Sequence, residues 1–253
     1  MIHQPVLLKE VIQYLDLGPG QKIIDATFGL GGHSSAILEE VKPDGMILGI
    51  EQTKELYQKA KIKFGAIKEI TLVDDNYRNL KRIAEEKNFL KADGILLDLG
   101  LSSWHLEQSG RGFSFQKDEP LDMRYSAKQE ITAAEIVNQR LPREIEKILN
   151  DYGGEKFARQ ISKAIIEARK TRPIVSTFQL VEIIRTAAPI WYAKRRQNPA
   201  TKTFQALRIA VNDELGNLET VLEQIPEVLK TGGRAVIISF HSLEDRLVKN
   251  AFR

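Results

Sequence analysis

The stretch Asp25-Ala26-Thr27-Phe28-Gly29-Leu30-Gly31-Gly32-His33-Ser34 decides how the chain is read. It grows out of a short β-branched run at 22–26 and leads into a helical pattern at 34–41. Closely spaced glycines let a backbone turn sharply and let a ligand approach it, and the N-terminus of the following helix presents N–H groups. The next apolar run, 46–51, ends on Glu51, twenty residues after Gly31. An acid at that place can accept both hydroxyls of a ribose. Two ligand classes fit. A dinucleotide site wants G-x-G-x-x-G/A, and Ser34 stands at its last position. An S-adenosylmethionine site wants D-x-x-x-G-x-G, which Asp25, Gly29 and Gly31 supply. A tight strand–helix turn without a ligand is the third reading.

Outward from this turn, strand-like runs recur at 70–73 and 92–99, with little apolar/polar alternation. Such runs suit a parallel sheet covered on both faces. Helical patterns lie between them at 53–64 and 79–87, and residues 5–15 carry apolar positions at 7, 8, 11, 12 and 15. Alternating elements of this kind predict a doubly wound α/β fold with right-handed crossovers.

After Ser103 the pattern changes. Residues 107–125 read as a long loop rich in Gly, Ser, Asp and Arg. Helices follow: one opened by a Thr132–Glu135 capping box, one with Pro142 in its first turn, an amphipathic one at 155–170, one at 178–188, and a single long one at 203–225. Strand character returns at 234–239, after a turn at Gly232-Gly233. The predicted organisation is a discontinuous α/β domain, 1–110 and 205–253, interrupted by a helical insert at 111–204. That insert holds 18 Lys and Arg against 11 Asp and Glu, while the rest of the chain holds 19 against 23. A polyanion partner follows as an expectation.

The chain has 253 residues and no cysteine, which excludes disulfides, zinc–cysteine sites, iron–sulfur clusters and thiol catalysis. No signal-peptide core and no run of 18 apolar residues is present, so a cytoplasmic protein without a membrane span is expected. Three further clusters carry candidate chemistry. Asp98 ends the fourth strand, where ligands of open α/β sheets sit. His241 follows the fifth strand, in Ser239-Phe240-His241-Ser242-Leu243-Glu244-Asp245-Arg246. Residues 198–208 interleave polar, basic and aromatic side chains, a composition suited to phosphate and base contacts.

Taken together the clusters resemble the bacterial 16S rRNA cytosine-N4 methyltransferases of the MraW/RsmH type. The resemblance rests on residues 3–10, 25–34, 97–103, RGFSF at 111–115, PLDMR at 120–124, 154–158, 199–209 and ISFHSLEDR at 238–246. It implies a class I S-adenosylmethionine-dependent methyltransferase, Rossmann-like with a mostly parallel sheet and an inserted helical, basic RNA-recognition domain. It implies S-adenosyl-L-methionine as cofactor, no metal, and a cytidine in the decoding region of 16S rRNA in the small subunit as acceptor, with no DNA or membrane partner. Cofactor-binding roles fall on Gly31, Gly32, His33, Glu51, Tyr77, Asp98 and His105. Asp98 and His241 are the candidates for orienting N4 and taking its proton. In the basic insert and the helix after it, Lys194, Arg195, Arg196, Lys202 and Arg208 are expected to meet RNA phosphates.

The sequence departs from the family pattern at several points. Glu51 stands where Asp is commoner, Thr53 where a second acid often follows, Trp104 for Pro, and His105 for Gln. The chain ends soon after the last motif, so the C-terminal strands of the family's sheet are expected to be missing. A DNA amino-methyltransferase is disfavoured because the fourth strand ends Asp98-Leu99-Gly100-Leu101 rather than in a Pro-Pro-aromatic motif. A nicotinamide-dependent oxidoreductase and a non-catalytic rRNA-binding assembly factor stand as the alternatives.

Overall fold

The computed structural model describes residues 5–193 and 198–253. In chain order the elements are α1 (Leu8–Leu15), β1 (Lys22–Asp25), α2 (Gly32–Val41), β2 (Met46–Glu51), α3 (Lys54–Phe64), β3 (Ile70–Asp74), a 3-10 turn (Tyr77–Asn79), α4 (Leu80–Glu86) and β4 (Ala92–Asp98). Then come α5 (Ser103–Glu107), α6 (Ala133–Gln139), α7 (Pro142–Gly153), α8 (Ala158–Thr171), α9 (Thr177–Ala187), α10 (Ile190–Ala193) and α11 (Ala200–Asn212). The chain closes with α12 (Glu214–Val228), β5 (Leu229–Ile238) and α13 (Ser242–Ala251). Two compact units divide it: Met1–Gly100 with Leu215–Arg253, and Leu101–Glu214.

In the first unit the described strands form one parallel sheet in the order β3-β2-β1-β4-β5. The pleat sends neighbouring residues to opposite faces, and both faces are apolar. Ile24, Leu48, Ile95 and Leu97 pack under α4 and α12 through Leu80, Ile83, Leu218, Val221 and Ile225. Ile23, Ile47 and Leu96 pack on the other side with Val11, Leu15, Ile37, Val41 and Phe64 of α1, α2 and α3. This is the doubly wound α/β class, with the chain reversing its direction of travel between β1 and β4. The crevice outside the carboxyl ends of those two strands is where such sheets take ligands.

The last strand begins five residues earlier than its apolar pattern indicates. Gly232, at φ 79°, and Gly233 form an irregularity inside β5 rather than a turn ahead of it, and the register against β4 shifts between Ala92 and Gly94. A Cβ at Gly233 would lie 3.0 Å from two backbone carbonyl oxygens, so the strand crosses this point only without a side chain.

The second unit is built on one core that joins Leu121, Met123, Ile145, Leu149, Ile161 and Ile165 to Leu180, Ile184, Phe204 and Leu207. Its helices start where the capping signals stand. Thr132 and Glu135 exchange both capping-box bonds, and Pro142 opens α7. The single long helix expected at 203–225 is two helices. Asp213 adopts φ 48° and ends α11, and α12 starts at the next residue. The Asn212 amide holds the break by donating to the carbonyls of Met123 and Arg208. The unit also extends ten residues beyond each end of the insert drawn at 111–204. Leu101 packs against its core at one end, and α11 carries Leu207 and Val211 into that core at the other.

Gly49 is a sharp test of the sheet packing. A Cβ there would overlap the Phe28 ring and lie 2.8 Å from Leu72. Gly49→Ala is expected to cost about 1–3 kcal/mol of stability by overpacking, read as a lower urea midpoint with unchanged slope.

Candidate cofactor site at the strand ends

Two buried carboxylates shape the turn after β1. Asp25 accepts the Ser34 hydroxyl at 2.6 Å and the Thr27 N–H at 3.2 Å, which ties the strand end to the first turn of α2. Ser34, a mismatch to the dinucleotide pattern, is therefore the partner that Asp25 needs. Burial raises the Asp25 carboxyl above the usual range, opposed by the Ser34 hydroxyl, by His33 and by the Thr27 N–H. Between these residues Gly29 and Gly31 take φ 54° and 72°. A Cβ on Gly31 would meet the rings of Phe64 and Phe28, which stand edge to face with centroids 5.4 Å apart.

Glu51, at the end of β2, reaches back to the same turn. One carboxylate oxygen accepts the Gly29 N–H at 2.9 Å, and the other accepts the Thr53 N–H at 2.6 Å. It is 8% exposed. Burial pushes its pKa up to about 7, against the two N–H bonds that favour the charged form. A carboxylate has about four acceptor positions, so Glu51 keeps capacity for ligand hydroxyls beyond these two bonds. Thr53, where the family often has an acid, serves as the cap of α3 and holds Glu51 in place.

Asp98 ends β4 beside this turn. Its N–H donates to the Thr27 hydroxyl at 2.7 Å, fastening β4 to the loop that follows β1. Its side chain is 26% exposed, and one oxygen lies 3.8 Å from Nδ1 of His33. His33 Nε2 lies 2.9 Å from the carbonyl of Val6. A carbonyl only accepts, so Nε2 carries a proton and Nδ1 is the atom turned to Asp98. Tyr77 stands after β3, half-buried against the sheet's core, in a turn capped by Asn76. The Asn76 amide donates to Gln52, the residue after Glu51, at 2.9 Å. Gly31, Gly32, His33, Glu51, Tyr77 and Asp98 thus gather at the carboxyl ends of four neighbouring strands.

The other candidates are placed differently. His241 is the cap of α13: Nδ1 accepts the Glu244 N–H at 3.3 Å, and Nε2 lies 3.3 Å from the Glu244 carboxylate. Glu244 also accepts the Phe240 N–H at 2.8 Å. Nδ1 of His241 is therefore committed to the start of its own helix. His105 belongs to the second unit, where Ser102 and His105 close a capping box and the ring packs among Trp104, Phe113 and Tyr125 at 5.0–5.4 Å. Burial, reinforced by Arg111 and Arg208, lowers its pKa to about 3, so it is neutral. Within its unit it acts as a structural histidine.

Of the expected phosphate contacts, Arg208 needs correction. It makes a two-point ion pair with Glu214 at 2.8 and 2.9 Å and is only 13% exposed, and Tyr125 donates to the same carboxylate. The sequence hid this pair because the long-helix reading ran straight through Asp213. Lys202 donates to the carbonyl of Gly154 at 2.8 Å at the surface. Lys194, Arg195 and Arg196 lie outside the described residues. The sequence reading also missed Thr27, whose hydroxyl joins two strand ends. Its only signal is its place between Asp25 and Gly29.

The donor set fits the cofactor that the turn implies. A buried acid with acceptor positions to spare ends β2, a glycine backbone admits no side chain, and a second acid ends β4. The fold and site define an S-adenosylmethionine-dependent methyltransferase. The MraW methylase family profile matches residues 1–253, and the chain belongs to that family. It is 47% identical over 254 aligned residues to the "Ribosomal RNA small subunit methyltransferase H" of Dictyoglomus thermophilum, covering 100% of this chain and 84% of that one. The protein of the same name from Geobacter sulfurreducens is 45% identical over 252 residues, covering 99% of this chain and 81% of its own. Among the described residues no helix is long and apolar enough to cross a membrane.

The raised pKa of Glu51 makes stability depend on pH. The unfolded carboxyl titrates near 4.5 and the folded one near 7. Between these values the folded chain keeps a proton that the unfolded chain releases, so stability is greatest below the window and falls as pH rises through it. Glu51→Gln is expected to flatten that fall in urea titrations of the cofactor-free protein between pH 4.5 and pH 7.

Proposed function

We propose that the chain transfers a methyl group from S-adenosylmethionine to N4 of a cytidine in the decoding region of 16S rRNA, with the small ribosomal subunit in the cytoplasm as substrate. The observation that carries this reading is whole-chain similarity to relatives named small-subunit rRNA methyltransferase H. When bound, the cofactor offers an electrophilic methyl on a sulfonium. The protein's part is position. The N4 lone pair is delocalised into the ring, so the amine must be held in line with that methyl, and such positioning supplies roughly 7–11 kcal/mol. The base leaves its stack to reach the site.

Gly31 and Gly32 hold the cofactor by close backbone approach, with His33 beside them. Glu51 accepts the ribose hydroxyls, and Tyr77 lines the next strand end. Asp98 is the group best placed to orient N4 and take its proton, because its carboxylate is part-exposed at the switch between β1 and β4. His241 is the weaker candidate, since the Nδ1 cap bond ties its ring to the start of α13. His105 contributes by ordering the second unit. That unit, with Lys202 and the 194–196 basic run, serves the RNA backbone.

Labelled methyl transfer is the test, with unmethylated small subunits, naked 16S rRNA and duplex DNA as acceptors. Label on N4 of one decoding-region cytidine is expected. Asp98→Asn should lower kcat about a hundredfold or more while leaving the protein folded. Cofactor binding without label on any RNA would remove the rRNA assignment. Replacing Lys194, Arg195 and Arg196 together by Ala should weaken RNA binding about tenfold and flatten its salt dependence. Cofactor affinity in a titration calorimeter should not move, and equal loss of both would contradict the division of labour.

A further inference from the structure

Trp191 is 56% exposed in α10, an uncommon place for an indole, and its surroundings hold it there. Glu155 is 1% exposed and binds two groups: it accepts the Phe157 N–H at 2.9 Å and the Tyr192 hydroxyl at 2.9 Å. Phe157 and Tyr192 meet at 4.8 Å between ring centroids, and each then braces Trp191, at 5.8 and 6.0 Å with interplanar angles of 70° and 85°. A buried carboxylate thus fixes two rings, and the two rings fix an indole that still faces solvent.

Cations flank this platform along the chain. Lys156 adjoins Phe157, and Arg159 and Lys163 are exposed four residues apart on α8. Among the described residues none of these three pairs with an acid. Lys202 lies at the carbonyl of Gly154, next to Glu155. A braced, exposed aromatic ring on a segment flanked by exposed cations suits a nucleobase stacked beside its own phosphates.

We infer that Trp191 is a stacking platform for an unpaired base of the RNA substrate, separate from the base that enters the methyl-transfer site. The inference rests on the rRNA reading above and adds to it a specific contact on the second unit. Glu155 is a positioning residue for that contact.

The chain has two tryptophans, and Trp104 is 8% exposed, so solvent-exposed indole emission reports on Trp191. Adding a short single-stranded oligoribonucleotide to the full chain should quench that emission and shield it from acrylamide, and the response should vanish in Trp191→Phe. Trp191→Ala should raise the RNA Kd about tenfold with S-adenosylmethionine Kd unchanged. Trp191→Phe and Trp191→Tyr should stay within about threefold of the parent, because a phenyl ring still stacks. Parent-like affinity of the Ala variant with unmoved emission would overturn the inference, as would equal loss in all three variants. A parent protein that binds neither the oligoribonucleotide nor small subunits would overturn the rRNA reading and this inference with it.

Discussion

The hold of Glu51 on the Gly29 N–H is the constraint on which the site depends. A carboxylate buried at the end of β2 is costly unless bonded. Its bonds to Gly29 and Thr53 offset that cost and draw the turn after β1 toward the end of β2. Asp25 does the same from inside the turn through Ser34 and Thr27. The Thr27 hydroxyl extends the linkage to Asp98 on the other side of β1. Three strand ends are fixed relative to one another by side chains that the packed sheet could not provide. The turn is therefore shaped before any ligand arrives, which lowers the ordering cost of binding.

The second unit repeats the device with different partners. Glu214 receives Arg208 and Tyr125 at the end of α11 and so stabilises the break at Asp213. Glu155 receives Tyr192 and the Phe157 N–H at the entrance to α8. In each case a buried acid sets a loop conformation that apolar packing leaves undetermined. The neutral His105 caps α5 in the same spirit: a charged ring would be expelled by its burial and by Arg111 and Arg208.

Much of the α/β unit was legible in the sequence because its signals are local. Strands buried on both faces read as continuous apolar runs, and the glycine turn and Glu51 fall at a spacing that one βαβ unit dictates. The Thr132–Glu135 capping box and Pro142 were legible for the same reason. Tertiary pairing was not. Arg208 looked like a surface cation because its partner Glu214 lies past a helix break carried by one residue at positive φ, a conformation Asp adopts without any apolar signal. His241 looked like a reactive side chain at a strand end, whereas Glu244 binds it into the first turn of α13. The helical unit runs ten residues past each end of the 111–204 span because charge marks the surface of a domain, whereas Leu101, Leu207 and Val211 carry its core beyond those ends.

Proton counting during cofactor binding tests the central claim most directly. S-adenosylmethionine would be titrated calorimetrically into the protein at pH 6 in two buffers of different ionisation enthalpy. If ribose hydroxyls bind the charged form of Glu51, the carboxyl held near pKa 7 must give up its proton. Binding should then release most of one proton per site, and the release should vanish in Glu51→Gln. Binding with no proton released, or release that persists in Glu51→Gln, would contradict the assignment of this acid to the cofactor.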